Sequence, residues 1–126
     1  MTEAQPDFQS RVADWMQVCF GPEIASDRVE RNYRFLEEAL ELVQACGCSQ
    51  DDAHKLVEYV YGRDVGETVQ EIGGVMVTLA ALCKSQGQNM HDAGETELKR
   101  IWTAIDAIRL KQASKPMRSP LPGESA

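Results

Sequence analysis

The segment that most restricts the fold is residues 65–86. On a helical projection Glu67 and Glu71 lie one turn apart, and their line continues through Gly74, Thr78 and Ala81. Most of the remaining circumference is apolar: Val69, Ile72, Val75, Met76, Val77, Leu79 and Leu82. A helix apolar over most of its surface is expected in an interior. Carboxylates on such a helix are costly to bury unpaired. The segment therefore requires both apolar neighbours and something positive for its acids.

A second acidic line lies in residues 31–43. Leu36, Leu40, Val43, Val29 and Tyr33 fall on one stripe, and Glu37, Glu38 and Glu41 on a neighbouring arc of about 100°. Three acids this close repel one another unless a cation, basic side chains or bulk water relieves them. One reading is a solvated face, with Arg34 three and four residues before Glu37 and Glu38 as a salt-bridge partner. The other is half of a divalent-metal site, with the acids of residues 65–86 as the facing half. Arg31 and Arg34 border the arc, and Lys99 and Arg100 lie farther along the chain. These cations are candidates for phosphate contacts or for surface ion pairs.

The rest of the chain reads as helix joined by short turns. Phe8, Val12, Trp15, Met16 and Cys19 have helical spacing, and Gly21-Pro22 stops that run. Ser26 or Asp27 is expected to cap the acidic helix, with Glu30 available for a capping box, and Gly47 to end it. Ser49 to Asp52 is another capping pattern, opening a helix to Tyr61. Gly62, Arg63 and Asp64 form a turn. Leu98, Ile101, Trp102, Ile105 and Ile108 mark a last helix over residues 91–112. His54 and His91 sit near helix starts, and neither belongs to a Glu-x-x-His pair, which disfavours a di-iron bundle site. No segment reads as a strand. The pattern predicts an all-α fold: a bundle of about five helices with a four-helix core, in one domain over residues 1–112. Residues 113–126 hold Pro116, Pro120, Pro122 and Gly123 and read as an extended tail, disordered or draped on a partner.

A chain of 126 residues supports one modest core, which oligomerisation would help. Its net charge of -7 argues against nucleic-acid binding, though metal ions could bridge it to nucleotides. Cys19, Cys46, Cys48 and Cys83 do not form a paired CxxC framework and read as reduced thiols. The start lacks a basic-then-apolar signal, and no apolar run suits a bilayer. A soluble, cytoplasmic protein is expected, with no membrane partner.

At Glu37-Glu38-Ala-Leu-Glu41 and Val69-Gln-Glu71-Ile-Gly-Gly-Val75 the chain resembles the MazG-like, all-α nucleoside triphosphate pyrophosphatases. These are related to dimeric dUTPases and phosphoribosyl-ATP pyrophosphohydrolase. The family pattern is E-x-x-E on one helix and E-x-x-D on a later one. Glu38 and Glu41 match the first pair, Glu71 matches the first acid of the second, and Gly74 stands where the family has Asp. The resemblance covers roughly residues 27–112.

It implies hydrolysis of a (d)NTP to (d)NMP and pyrophosphate in nucleotide-pool housecleaning. It implies Mg²⁺, or Mn²⁺, held by Glu38, Glu41 and Glu71, with Glu67 able to replace some of the missing charge. Glu37 would orient or deprotonate the attacking water, and Arg31, Arg34 or Lys99 would meet the phosphates. A homodimer or dimer of dimers is implied. The alternative is a catalytically impaired helical module of the same fold, binding a nucleotide or a protein, with activity lost through Gly74.

Overall fold

The structure is a computed structural model that describes residues 6–115 and 119–121. Seven α-helices account for nearly all of the described chain, in the order α1 (Phe8–Phe20), α2 (Pro22–Ser26), α3 (Arg28–Ala45), α4 (Gln50–Tyr61), α5 (Thr68–Ser85), α6 (Met90–Trp102) and α7 (Ile105–Ala113). The all-α expectation holds, and no strand occurs among the described residues. Two more helices form than expected. Pro22 pre-sets the first turn of a short helix directly after α1. The predicted last helix divides at Thr103–Ala104, where the Thr103 hydroxyl bonds back to the Arg100 carbonyl at 2.7 Å.

The helix ends follow their sequence signals. Asp27 Oδ1 accepts from Val29 N (3.1 Å) and Glu30 N (3.2 Å), and Ser49 Oγ accepts from Asp52 N (3.1 Å). Gly47 stops α3 with φ +93°, a left-handed conformation that other residues rarely adopt, so that Cys48 N returns to Val43 O at 2.9 Å. α5 starts three residues later than the apolar pattern suggests, because residues 64–67 are non-helical and Glu67 is extended before its first turn.

The chain divides into two compact units, residues 1–37 with 94–126 and residues 38–93. The first unit has a small core of Trp15, Cys19 and Leu98, with Val12, Met16, Phe20, Ile101, Ile105 and Ile108 packed around it. Trp15 meets the Phe20 ring edge-on at 5.6 Å, and its Nε1 donates to Ile101 O at 3.0 Å. Arg109 of α7 closes the end of α1, where carbonyls lack intrahelical partners. Its Nε and Nη2 donate to Cys19 O (2.7 Å) and Val18 O (2.8 Å). Arg11 and Glu95 join α1 to α6 in a two-pronged ion pair.

The second unit holds the remainder of α3, then α4, α5 and the start of α6. It contains no fully buried apolar side chain. Leu56, Val57 and Val60 of α4, and Val69, Ile72, Val75, Met76 and Val77 of α5, are exposed. The expected interior position of α5 is therefore not realised within the second unit. On α3, Leu36 and Leu40 of the predicted core stripe are also exposed. The physical reason is supply: the second unit presents three helices with exposed apolar side chains and too little further chain to cover them.

Candidate functional site

Glu37, Glu38 and Glu41 follow one another along α3 as the helical pattern requires. Glu38 and Glu41 are exposed, whereas Glu37 is engaged. Lys115, just past the end of α7, donates from Nζ to Glu37 Oε1 at 3.0 Å, and Arg34 Nη1 lies 3.5 Å from the same oxygen. The Lys115 hydrogen bond holds the Glu37 carboxyl below its ordinary value. Burial opposes this, and the charges of Lys115, Arg34 and Lys111 add to the lowering.

Around Glu37 the first turns of α3 carry a charged network belonging to the first unit. Glu30 is 3 % exposed, and its Oε1 accepts from Gln112 Nε2 at 3.0 Å. Arg34 Nε lies 3.1 Å from the same Glu30 oxygen, and Arg34 Nη2 donates to Ser119 O (2.9 Å) and Pro120 O (3.2 Å). Arg31 stacks over Phe20, 5.7 Å from its ring centre, and touches Met16 Sδ at 3.9 Å. Burial pushes its guanidinium down, against the upward pull of Glu30. Several buried polar atoms here find no hydrogen-bond partner: Glu30 Oε2, Arg31 Nε and Nη2, and Arg34 Nε and Nη1. The Arg34 pair lies within ion-pair range of Glu30 and Glu37 but out of hydrogen-bond geometry. Guanidinium donors outnumber acceptors in this network.

The other acids sit in the second unit. Glu71 is in the first turn of α5, and its carboxylate folds back over Gly66 so closely that a Cβ there would collide with it. Glu71 shares a cavity of about 520 Å³ with Arg63, Asp64, Tyr61 and Val65. Arg63 lies 4.3 Å over the Tyr59 ring. Glu67 occupies the N-cap position with extended backbone (φ -93°, ψ 136°) and makes no side-chain capping bond. It stands at the helix entrance, its carbonyl accepting from Glu71 N one turn on at 2.9 Å. Gly73 and Gly74 lie within α5, and a Cβ on either meets nothing within 4 Å. Lys99 is exposed on α6, beside a cavity of about 400 Å³ shared with Arg11, Asp14 and Glu95.

Among the described residues, no three His, Cys, Asp or Glu side chains are arranged to hold a metal ion. One chain by itself does not assemble Glu38, Glu41 and Glu71 into the expected Mg²⁺ centre. All four cysteines are free thiols. No described helix is long and apolar enough to cross a membrane.

Lys115 and Gln112 escaped the sequence reading. Lys115 lies beyond the last apolar repeat, where helical spacing carries no information. Gln112 is an uncharged residue at a helix end. Glu30 appeared only as a capping acid, and its burial beside Arg34 had no signal beyond the ordinary i,i+4 spacing. No family model matches the chain, and no curated protein or solved structure matches it either.

Proposed function

We propose that this chain is a nucleoside triphosphate pyrophosphohydrolase, Mg²⁺-dependent, that acts as a homo-oligomer and converts (d)NTP to (d)NMP and pyrophosphate. The observation that carries the reading is α5. It bears Glu71 at its start, beside a cavity of about 520 Å³ that Arg63 and Asp64 also line, and leaves its apolar face uncovered. A second copy covering that face would also supply acids from another chain. The metal requirement rests on this assembly, because one chain does not gather three ligands. A divalent ion there would neutralise the triphosphate, which a chain of net charge -7 otherwise repels. In the reaction, water adds to the α-phosphorus, the bond to the bridging oxygen breaks and pyrophosphate leaves. Glu37 is the residue proposed to take the proton of that water.

A second reading is favoured by Gly74 together with the missing three-acid group: a helical module that binds a nucleotide or a protein without turnover. One panel separates the two. Purified protein is incubated with each common NTP and dNTP plus Mg²⁺ or Mn²⁺, and pyrophosphate is measured. Turnover by wild type that Glu38→Ala abolishes supports the hydrolase. Silence from wild type, with turnover gained by Gly74→Asp, supports the module. A Cβ at position 74 meets nothing within 4 Å in its own chain.

A further inference from the structure

The cations first considered for phosphate contacts are engaged elsewhere. Arg34 lies within ion-pair range of Glu30 and Glu37, Arg31 is packed over Phe20, and Lys99 lines a cavity with Arg11, Asp14 and Glu95. Arg63 differs from all three. It lines the cavity of about 520 Å³ that Glu71 and Asp64 also line. It is the only lysine or arginine between Lys55 and Lys84, a stretch that carries Glu58, Asp64, Glu67 and Glu71. Among the described residues its guanidinium nevertheless makes no ion pair and no hydrogen bond. It lies 4.3 Å over the Tyr59 ring instead, a contact that restrains the guanidinium plane and leaves its N–H edges unspent.

We infer that Arg63 receives the phosphate chain of a polyphosphate that enters the Glu71 cavity as its divalent-ion complex. The mixed charge of the cavity selects this ligand. An anion arriving alone would meet the carboxylates of Asp64 and Glu71. A divalent ion arriving alone would find too few ligands, because no three acids among the described residues are arranged to hold one. A polyphosphate complexed with Mg²⁺ offers oxygens to the guanidinium and a cation to the carboxylates. The planar guanidinium suits phosphate oxygens because it can donate to them through two parallel N–H bonds. The cavity volume also lies in the range of small-molecule sites, about 300–1,000 Å³. The inference rests on the hydrolase reading for its ligand class, and it places the phosphate contact on the connector between α4 and α5. Its test does not depend on turnover.

Magnesium tripolyphosphate serves as the probe, titrated into the full chain by calorimetry at constant salt. Arg63→Gln should weaken binding about tenfold or more, through loss of a charge-assisted, two-pronged contact. Lys84→Gln makes the same change in charge at an exposed site in the last turn of α5 and should leave the affinity as it is. Three results would each overturn the inference: no saturable binding by the wild-type chain, wild-type affinity in Arg63→Gln, or an equal loss in Lys84→Gln. Arg63 is exposed, so its replacement is expected to fold. Should it not, the wild-type chain decides: the probe should slow modification of Arg63 by phenylglyoxal, read by mass spectrometry, and an unchanged rate counts against the site. Binding that depends on Arg63, with no pyrophosphate released from any NTP or dNTP, leaves the phosphate contact standing and removes the hydrolase reading.

Discussion

Replacing Ile72 with Glu tests whether α5 is covered by a second copy. Val69, Ile72 and Met76 follow an i, i+3, i+7 spacing and share one stripe. They are 82 %, 56 % and 61 % exposed, roughly two side chains' worth of apolar surface in all, so burying it would contribute on the order of 3–6 kcal/mol per chain. Two chains double this, and the exposed Leu36, Leu40, Leu56 and Val57 add to it. Together these exceed the lower range of association costs, about 4–15 kcal/mol. Ile72→Glu removes about 1–2 kcal/mol of that burial and places a carboxylate in the contact, at a cost of several kcal/mol. In a two-fold dimer the change is felt twice. A loss of about 5 kcal/mol or more raises the dissociation constant by at least ~10³-fold. Sedimentation equilibrium over a range of concentrations reads this directly, and the wild-type Tm should rise with protein concentration. A wild-type chain that is monomeric at hundreds of micromolar, with a concentration-independent Tm, refutes the reasoning.

Three further outcomes follow from the first unit and the helix caps. Leu98→Ala, at one of three buried apolar positions among the described residues, should cost about 2–4 kcal/mol in urea unfolding, and a loss under 1 kcal/mol would mean that the core lies elsewhere. Ser49→Ala removes the cap bond to Asp52 N and should cost about 1 kcal/mol, read by the same assay. Burial pushes the Cys19 thiol up, with Arg109 pulling weakly the other way. Cys46, Cys48 and Cys83 should therefore react with an aromatic disulfide reagent before Cys19 does. The folded value is the raised one, so the stability this group contributes is present below the ordinary thiol value and is lost as pH rises through the folded one. Modification of Cys19 first would contradict its placement.

Local chemistry was readable in the sequence wherever it depends on a few adjacent residues. Asp27, one of the two residues expected to cap α3, and Ser49 cap their helices, because a short oxygen-bearing side chain can reach an amide only two or three residues on. Gly47 ends α3 for the equally local reason of its left-handed backbone. The core was only half legible. Trp15, Cys19, Leu98, Ile101 and Ile108 lie on the stripes read from helical spacing, and they do pack together. Leu36, Leu40 and the α5 residues lie on equally good stripes and remain exposed. Periodicity states that a face will be buried but not by which chain. Among the site residues, Glu37 and Arg34 were found as an acid and a base on one helix. Their partner Lys115 was not, because 78 residues separate it from Glu37 and no pattern spans that distance.

This division bears on how the acids should be weighed. An exposed carboxylate on α3 is an ordinary surface feature, and so is one at the start of α5, where the helix dipole favours it. Neither implies a cation. The case for a cation arises only if the apolar faces of α3 and α5 become covered, because that desolvates the acids these helices carry beside those faces. Unpaired carboxylates then oppose the association by several kcal/mol each. A divalent ion that removes this penalty binds the assembled form and not the separated chain, so it must favour assembly by mass action. Metal binding and self-association are accordingly one linked equilibrium. If Mg²⁺ or Mn²⁺ left the sedimentation behaviour of the wild-type chain unchanged, the carboxylates would be solvated in the oligomer, and the acidic arc would revert to a surface face.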